Sequence, residues 1–309
     1  MLRINPAETP MPKMHQYILG SISPRPIAFA STMDAEGNPN LSPFSFFNAV
    51  GSNPPTVIFS PARSGRDNTT KNTLDNVEAT GEVVINIVNY AIVQQMSLAS
   101  SPFPKGVNEF IKTGLTPIAS EMVKPFRVKE SIVQMECKVK DIYYTGKTGG
   151  AGNIIISEIL LMHINEDIFD ENGRMDPRKM DLVARMGGDY YCRVIPESLF
   201  LLPQPKDTCG IGVDVLPFSV RNSKILSGND LGQLGSLFEY PEKEEVEKIK
   251  SSVPSNASEE EIHQIAKNKL SQNETKEALK ILLLKEYNLI KNGIIGKDFP
   301  LLKKLLMLK

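Results

Sequence analysis

A chain of 309 residues with 41% hydrophobic content and a formal net charge of −1 has core enough for one or two domains and no long-range field for nucleic acid. No apolar run reaches membrane-spanning length and MLRINPAETP lacks a signal-peptide apolar region, so neither a membrane role nor secretion is expected. Cys137, Cys192 and Cys209 are an odd set without a CxxC, which points to the reducing cytoplasm and away from disulfides or a zinc site.

In chain order, Ile27, Phe29 and Ser31 alternate with Ala28, Ala30 and Thr32, the period of a half-buried strand. Asp34, Glu36, Gly37 and Asn38 supply turn chemistry, and the chain returns through Leu41 to Asn48 as the second strand of a hairpin. Pro43 confines that strand to an edge or a bulge, with backbone N–H and C=O groups left outside a ladder. Pro54 to Ser60 reads as a strand, Asn68 to Thr80 as a short helix stopped by Gly81, and Glu82 to Val88 as a strand. Ala91 to Ala99 reads as a second short helix. Val133, Met135, Cys137 and Val139 alternate with Gln134, Glu136, Lys138 and Lys140, the pattern of a strand buried on one face. Ile154 to Ile164 is a nearly continuous apolar strand after a Gly-rich turn. Strands joined by short turns, with few strand–helix–strand units, predict a mainly β fold: a barrel with flanking helices.

The last third differs. Residues 196–240 read as a loop-rich extension that packs on the barrel or on a dimer partner, and 241–309 as a helical tail. Glu242 to Lys250 predicts a solvated helix face. Ser258 with Glu261, and Ser271 with Glu274, read as capping boxes that open helices. Leu279, Leu282, Leu283 and Leu289 supply an apolar stripe, and LLKKLLMLK is a short amphipathic end, for which packing on the core or a partner subunit is expected over the alternative of a membrane-surface role.

Chemistry-bearing residues cluster early. Ser42, Ser45 and Asn48, with backbone groups of Phe44 to Phe47, suit the polar edge of a flat aromatic ligand. The alternative is that Phe44, Phe46 and Phe47 are core and the serines face water. Arg63, Arg66, Asn68, Thr69, Thr70 and Lys71 follow a strand at an expected helix start. Such a place offers unpaired N–H groups, hydroxyls and guanidinium forks to a phosphate, or is simply a capped helix with solvated basic residues. Gly146-Lys147-Thr148 imitates a phosphate loop, but Asp141 replaces its first glycine and a strand follows, so a hairpin turn is expected. His15, His163 and His263 lack ligand spacing, and Cys137 reads as a small buried hydrophobe.

PRPIAFAST, NLSPFSFFN, NPPTVIFSP, RDNTTKNTLDN, VVINIVNY, MECKV, GGAGN and DLVARMGGDYYCRV, in that order, resemble the flavin reductase family that binds FMN in a split β-barrel. The resemblance covers about Pro10 to Val194 and extends into RNSKILSGNDLG. It implies residues 1–195 as an FMN-binding split barrel, with the phosphate at Arg66 to Lys71 and the ring along Ser42, Pro43, Phe44, Ser45, Phe46 and Asn48. Thr32, Ser60, Arg185 and Gly187 are implied as further cofactor contacts, with an ion-pairing or turn role for Arg185 as the alternative. It also implies a homodimer and an NAD(P)H-dependent flavin reductase, with hydride passing from nicotinamide to flavin N5 and no catalytic side chain. The small-molecule substrates would be flavin and pyridine nucleotide, and a monooxygenase or electron-acceptor protein a possible partner. Within the same resemblance, an FMN-containing electron carrier reduced by a protein partner, or a non-catalytic flavin-binding protein, stays open.

Overall fold

A computed structural model of the protein describes residues 1–204 and 208–291, with side chains through 284. The chain divides into two compact units, Met1–Phe200 and Leu201–Lys309.

The first unit opens with α1 (Met11–Ser21), then β1 (Ala28–Met33), β2 (Pro39–Phe44), β3 (Phe47–Ser52) and β4 (Pro55–Phe59). Next come α2 (Asn72–Thr80), β5 (Glu82–Ile87), α3 (Val93–Ala99), α4 (Glu109–Thr113), and the two-residue strands β6 (Pro117–Ile118) and β7 (Arg127–Val128). A long hairpin, β8 (Val133–Tyr144) and β9 (Asn153–Ile164), is followed by α5 (Pro177–Met180), β10 (Val183–Arg185) and β11 (Tyr191–Arg193). Seven strands form one antiparallel sheet in the order β2-β1-β5-β8-β9-β4-β3.

That order dictates the shape. β2 and β3 are the two outer strands, yet only Ser45 and Phe46 separate them in sequence. Laid flat, six inter-strand gaps would hold the edges about 29 Å apart. Two linking residues reach roughly 10 Å. The sheet must therefore curl until its edges nearly meet, which is the split barrel. The Ser60 N–H donates to the Phe46 carbonyl at 2.9 Å and fastens the link to the far edge. The hairpin expectation changes accordingly. Leu41 to Asn48 is not one strand returning along β1: β2 pairs with β1, and β3 crosses to pair with β4. Pro43 does sit in an edge strand.

Both sheet faces are covered, so β1 is buried along its whole length and not on one face alone. Ala28 and Ala30 share the barrel interior with Phe44, Val57, Phe59, Val83, Ile85, Met135, Cys137 and Ile155, and Leu74 and Val77 of α2 join them. Small residues on β1 leave room there for the two phenylalanines, whose ring centres lie 5.8 Å apart. On the other face Ile27, Phe29 and Leu41 pack with Ile92, Met96 and Ala99 near α3 and with Phe110 of α4. Burial pushes the Cys137 thiol up to about 12, as an inert core thiol requires.

β8 departs from the one-face pattern for a polar reason. Gln134 and Glu136 are buried beside their apolar neighbours. Glu136 accepts from the Glu121 and Met122 N–H groups and lies 2.7 Å from His163 Nε2, with Arg127 at 3.6 Å. Gln134 donates to the Val128 and Ser131 carbonyls and accepts from Arg127. The segment from Ala119 to Val128 is tied down over this face, so its polar residues are covered and satisfied.

The second unit holds α6 (Phe218–Arg221), α7 (Gly228–Gly235), α8 (Lys243–Lys248), α9 (Glu259–Ser271) and α10 (Thr275–Lys291). Leu216, Val220, Leu226 and Leu234 share one core with Val246, Ile262, Ala266, Leu270, Leu279, Leu282 and Leu283. The expected boundary between a 196–240 extension and a 241–309 tail therefore runs through the middle of a single core. The Ser258–Glu261 capping box is present. The second expected box is not: Ser271 ends α9, its hydroxyl donates to the Asn268 carbonyl, and Glu274 pairs with Lys269 at 2.6 Å. The LLKKLLMLK segment and the Leu289 side chain lie outside the described residues.

Edge strand β2 also supplies a pH test. The Leu41 N–H donates to Glu109 Oε2 at 3.0 Å, and burial raises the Glu109 carboxyl above the ordinary glutamate range. A raised folded value means that Glu109 contributes its stability below the unfolded glutamate pKa and loses it as pH rises through the folded value. Glu109→Gln, which keeps an acceptor but not the charge, should melt higher than wild type at pH 8 and lose that advantage at pH 4. Thermal unfolding at both values checks it; an advantage equal at both would assign the gain to packing.

Candidate cofactor site

The curl brings the nominated edge residues to one place. Ser42, Pro43, Ser45 and Phe46 are half-buried along β2 and the link, while Asn48 stands exposed on β3. Asn48 Oδ1 accepts from the Ala49 N–H at 2.9 Å, which leaves the amide nitrogen as a donor at the surface. Phe44 is both: it packs on Phe59 and borders a cavity of about 160 Å³ together with Pro43, Ser45, Met96, Arg185 and Tyr191. The structure thus unites Pro43, Phe44 and Ser45 with Arg185, which is 140 residues away in sequence from Ser45.

Arg185 is carried there by a residue that sequence reasoning did not nominate. Arg25 and Arg185 pair through their backbones in both directions at 2.9 Å. The Arg25 side chain is buried and donates to the Leu19, Ile22 and Met186 carbonyls at 2.5, 2.7 and 2.9 Å, and toward Ser45 Oγ at 3.4 Å. One guanidinium therefore holds together the end of α1, the Ser45 link and the turn after β10. Gly187 belongs to that turn, where an added Cβ would lie 3.1 Å from Gly20 Cα. The available signal was a lone charge between two prolines at a strand entrance, in PRPIAF.

The second cluster lies in the segment from Pro61 to Lys71. The helix begins at Asn72, not at Asn68, because Asn68 adopts the left-handed region (φ 59°) and its side chain is engaged. Asn68 Oδ1 accepts from Arg63 Nε at 2.7 Å, and its amide donates to the Lys147 carbonyl at 3.0 Å. Arg63 is further paired with the β8–β9 turn, its N–H to the Ala151 carbonyl and its carbonyl to the Gly150 N–H. Gly149 must be glycine at that contact: a Cβ would meet the Ser64 carbonyl oxygen at 2.9 Å. The phosphate-loop look-alike is thus a hairpin turn that buttresses the neighbouring segment.

Thr69 donates its hydroxyl to Asp67, and Thr70 to Asp75. Hydrogen bonds from Ser64 and Thr69 hold the Asp67 carboxyl at about 2. Arg66 and Lys71 remain exposed without a protein partner among the described residues. Lys71 caps α2 with no side-chain hydrogen bond, so the first-turn N–H groups also lack a side-chain acceptor. Two cations beside an uncapped helix start form a donor set that fits a phosphate.

Two nominated hydroxyls lie deeper. Thr32 is fully buried, and Oγ1 accepts from the Asn40 and Asn76 amides at 3.2 and 3.1 Å, which makes it part of the packing beneath α2. Ser60 is buried and accepts from the Asn153 N–H at 3.0 Å. Asn153 is a residue the sequence did not single out. Its amide donates to the Pro61 carbonyl at 2.7 Å, while Oδ1 is a buried acceptor with no partner at the foot of the phosphate-fitting segment. Among the described residues no group of three His, Cys, Asp or Glu is arranged to hold a metal, and no helix is long and apolar enough to cross a membrane.

The family model for flavin reductase like domains matches residues 19–181. The chain belongs to the flavin reductase-like family. A protein of Aquifex aeolicus is 38% identical over 190 residues, 62% of this chain and 94% of its own length. Among solved structures, nitrilotriacetate monooxygenase component B from Bacillus cereus is 30% identical with a TM-score of 0.61, covering 65% of this chain and all but 2% of its own (98%). A putative flavin reductase with a split barrel domain from Shewanella frigidimarina is 28% identical with a TM-score of 0.55, covering 64% of this chain and 96% of its own. The flavin reductase-like match ends before the second unit begins.

The phosphate-fitting segment has a direct test. Replacing Arg66 and Lys71 together with alanine should weaken FMN by about tenfold or more, on the scale of hydrogen bonds to charged groups, and leave riboflavin affinity within about twofold. Flavin fluorescence titrations read both. Equal weakening of the two ligands would move the phosphate elsewhere.

Proposed function

We propose that the protein is an FMN-dependent oxidoreductase of the NAD(P)H:flavin reductase type. The observation that carries this reading is the presence of two complementary donor surfaces in the first unit. The β2–β3 link presents hydroxyls, an amide and aromatic walls, and the segment leading into α2 presents unpaired cations and helix N–H groups.

In this reading Arg66, Lys71 and the first turn of α2 bind the phosphate, with Thr69 and Thr70 beside them. Ser42, Ser45 and the Asn48 amide orient the polar edge of the ring, helped by backbone groups on the open side of β2. Phe44 and Phe46 supply apolar walls that exclude water, and the Arg185 guanidinium faces the same region. Asn153 Oδ1 is placed to accept from a hydroxyl of the chain that joins ring to phosphate. FMN, when bound, supplies hydride chemistry at its N5 atom with a reduced nicotinamide as donor, so no side-chain nucleophile or triad is needed. The protein's contribution is orientation and exclusion of water.

The exposed β3 strand and the apolar side chains of β9, Leu160 and Met162, support a homodimer built on this sheet. One similar structure is named as a monooxygenase component, which supports transfer of reducing equivalents to a partner enzyme as the physiological use.

Anaerobic mixing of FMN-loaded protein with NADH or NADPH should bleach the flavin absorbance within seconds, and steady-state NAD(P)H oxidation should rise with added FMN. A protein that binds FMN but stays oxidised with both nucleotides, and is reduced only by a protein donor, would be an electron carrier instead.

A further inference from the structure

Arg25 and Arg185 pair through their backbones, and among the described residues neither side chain has a carboxylate partner. Three other arginines of the first unit do pair with a carboxylate, Arg127 with Glu136, Arg178 with Asp176 and Arg193 with Asp181, while Arg63 is held by neutral Asn68. Arg25 is 4% exposed, and every acceptor it reaches is neutral, three carbonyls and one hydroxyl. Burial, and then the nearby Arg185 charge, pull its pKa down. Arg185 lies with its guanidinium carbon 4.6 Å from the centre of the Tyr191 ring and has no acidic partner among the described residues. An anion seated against the half-buried Arg185 guanidinium would supply the counter-charge that the protein does not.

The neighbouring cavity has the size and lining to hold such an anion. Its volume is about 160 Å³. That is well below the roughly 300 Å³ at which pockets begin to enclose drug-sized ligands, so a single ring is its natural occupant. Ile27, Phe44, Met96 and Tyr191 give it apolar and aromatic walls, Ser45 and Ser100 add hydroxyls, and Arg185 supplies the one charge among its lining residues. A planar fork beside an aromatic wall favours a carboxylate on a flat ring over a bare spherical or tetrahedral anion.

We propose that this cavity is a binding site for a small monocyclic carboxylate, paired with Arg185 under the field of Arg25. The site deepens the functional reading above, and rests on it for the cofactor's position: a ligand here would lie against Pro43, Phe44 and Ser45, beside the strand assigned to the flavin ring. Arg25 acts as a positioning residue, since its donors are spent on the protein.

The test is a calorimetric titration of FMN-saturated protein with benzoate, benzamide and inorganic phosphate, repeated without FMN. Benzoate should bind one per chain, about tenfold or more tighter than neutral benzamide and also tighter than phosphate, as expected for a charge-assisted fork to a ring carboxylate. It should also shift the visible spectrum of the bound flavin. Arg185→Gln should erase the benzoate-over-benzamide ratio, and Arg185→Lys should keep part of it. Equal binding of benzoate and benzamide, no binding of either, or phosphate matching benzoate would overturn the proposal. So would displacement of FMN by benzoate, which would make the cavity part of the cofactor's own site. If FMN itself fails to bind, the flavin reading falls, while a retained benzoate preference in the flavin-free protein still supports the anion site.

Discussion

The two residues Ser45 and Phe46 join the opposite edges of a seven-stranded sheet, and most of the first unit follows from that constraint. The edges must approach each other, so the sheet curls. Its inner face must then be filled by residues that fit a concave space, which Ala28 and Ala30 on one strand and Phe44 and Phe59 on others accomplish together. The same curl releases the Ser42–Asn48 segment from a continuous hairpin. It lies at the two edges, where a ladder partner is absent on one side of β2 and one side of β3.

Charge is distributed to match. The chain is nearly neutral as a whole, yet exposed Arg66 and Lys71 stand at an uncapped helix start, and Arg185 stands without a counter-charge among the described residues beside Pro43, Phe44 and Ser45. Other polar groups nearby are already satisfied. Arg63, Asn68, Thr69 and Asp67 hold one another, and Glu136 holds the segment over β8 with His163. This division separates groups that shape the molecule from groups with bonding capacity to spare. A ligand adds most where capacity is spare, since satisfied donors give up one partner to gain another.

Much of this was legible in the sequence. The types of β4, α2, β5, α3, β8 and β9 followed from period and turn residues, while α4, β6 and β7 are too short to show a period, and several separated motifs in one order carried the family. The departures have physical causes. Leu41 to Asn48 reads as one strand because alternation cannot tell which neighbour a strand pairs with, and the change of partner at Ser45 and Phe46 is a tertiary event. Asn68 looked like a helix cap, but its backbone is left-handed and its side chain bonds to Arg63 and to Lys147, the latter in a turn 79 residues away in sequence. Gln134 and Glu136 looked solvent-facing because a polar residue in a strand does not announce the segment that will cover it. Arg25 was hidden in a motif noticed for its neighbours, and Asn153 directly after GGAG offered no spacing signal. In the second unit the described part of Pro196 to Pro217 is loop as its composition indicates, but Leu216 at its end enters the helical core, which composition alone does not announce.

Hydrogen exchange measured with and without FMN tests the central claim most directly, because it reports where the ligand sits and needs no substitution. The account calls for slowed exchange at two places: backbone amides from Ser45 to Asn48, and those from Arg66 to Thr73 at the start of α2. Protection confined to other segments, or none at saturating FMN, would contradict it.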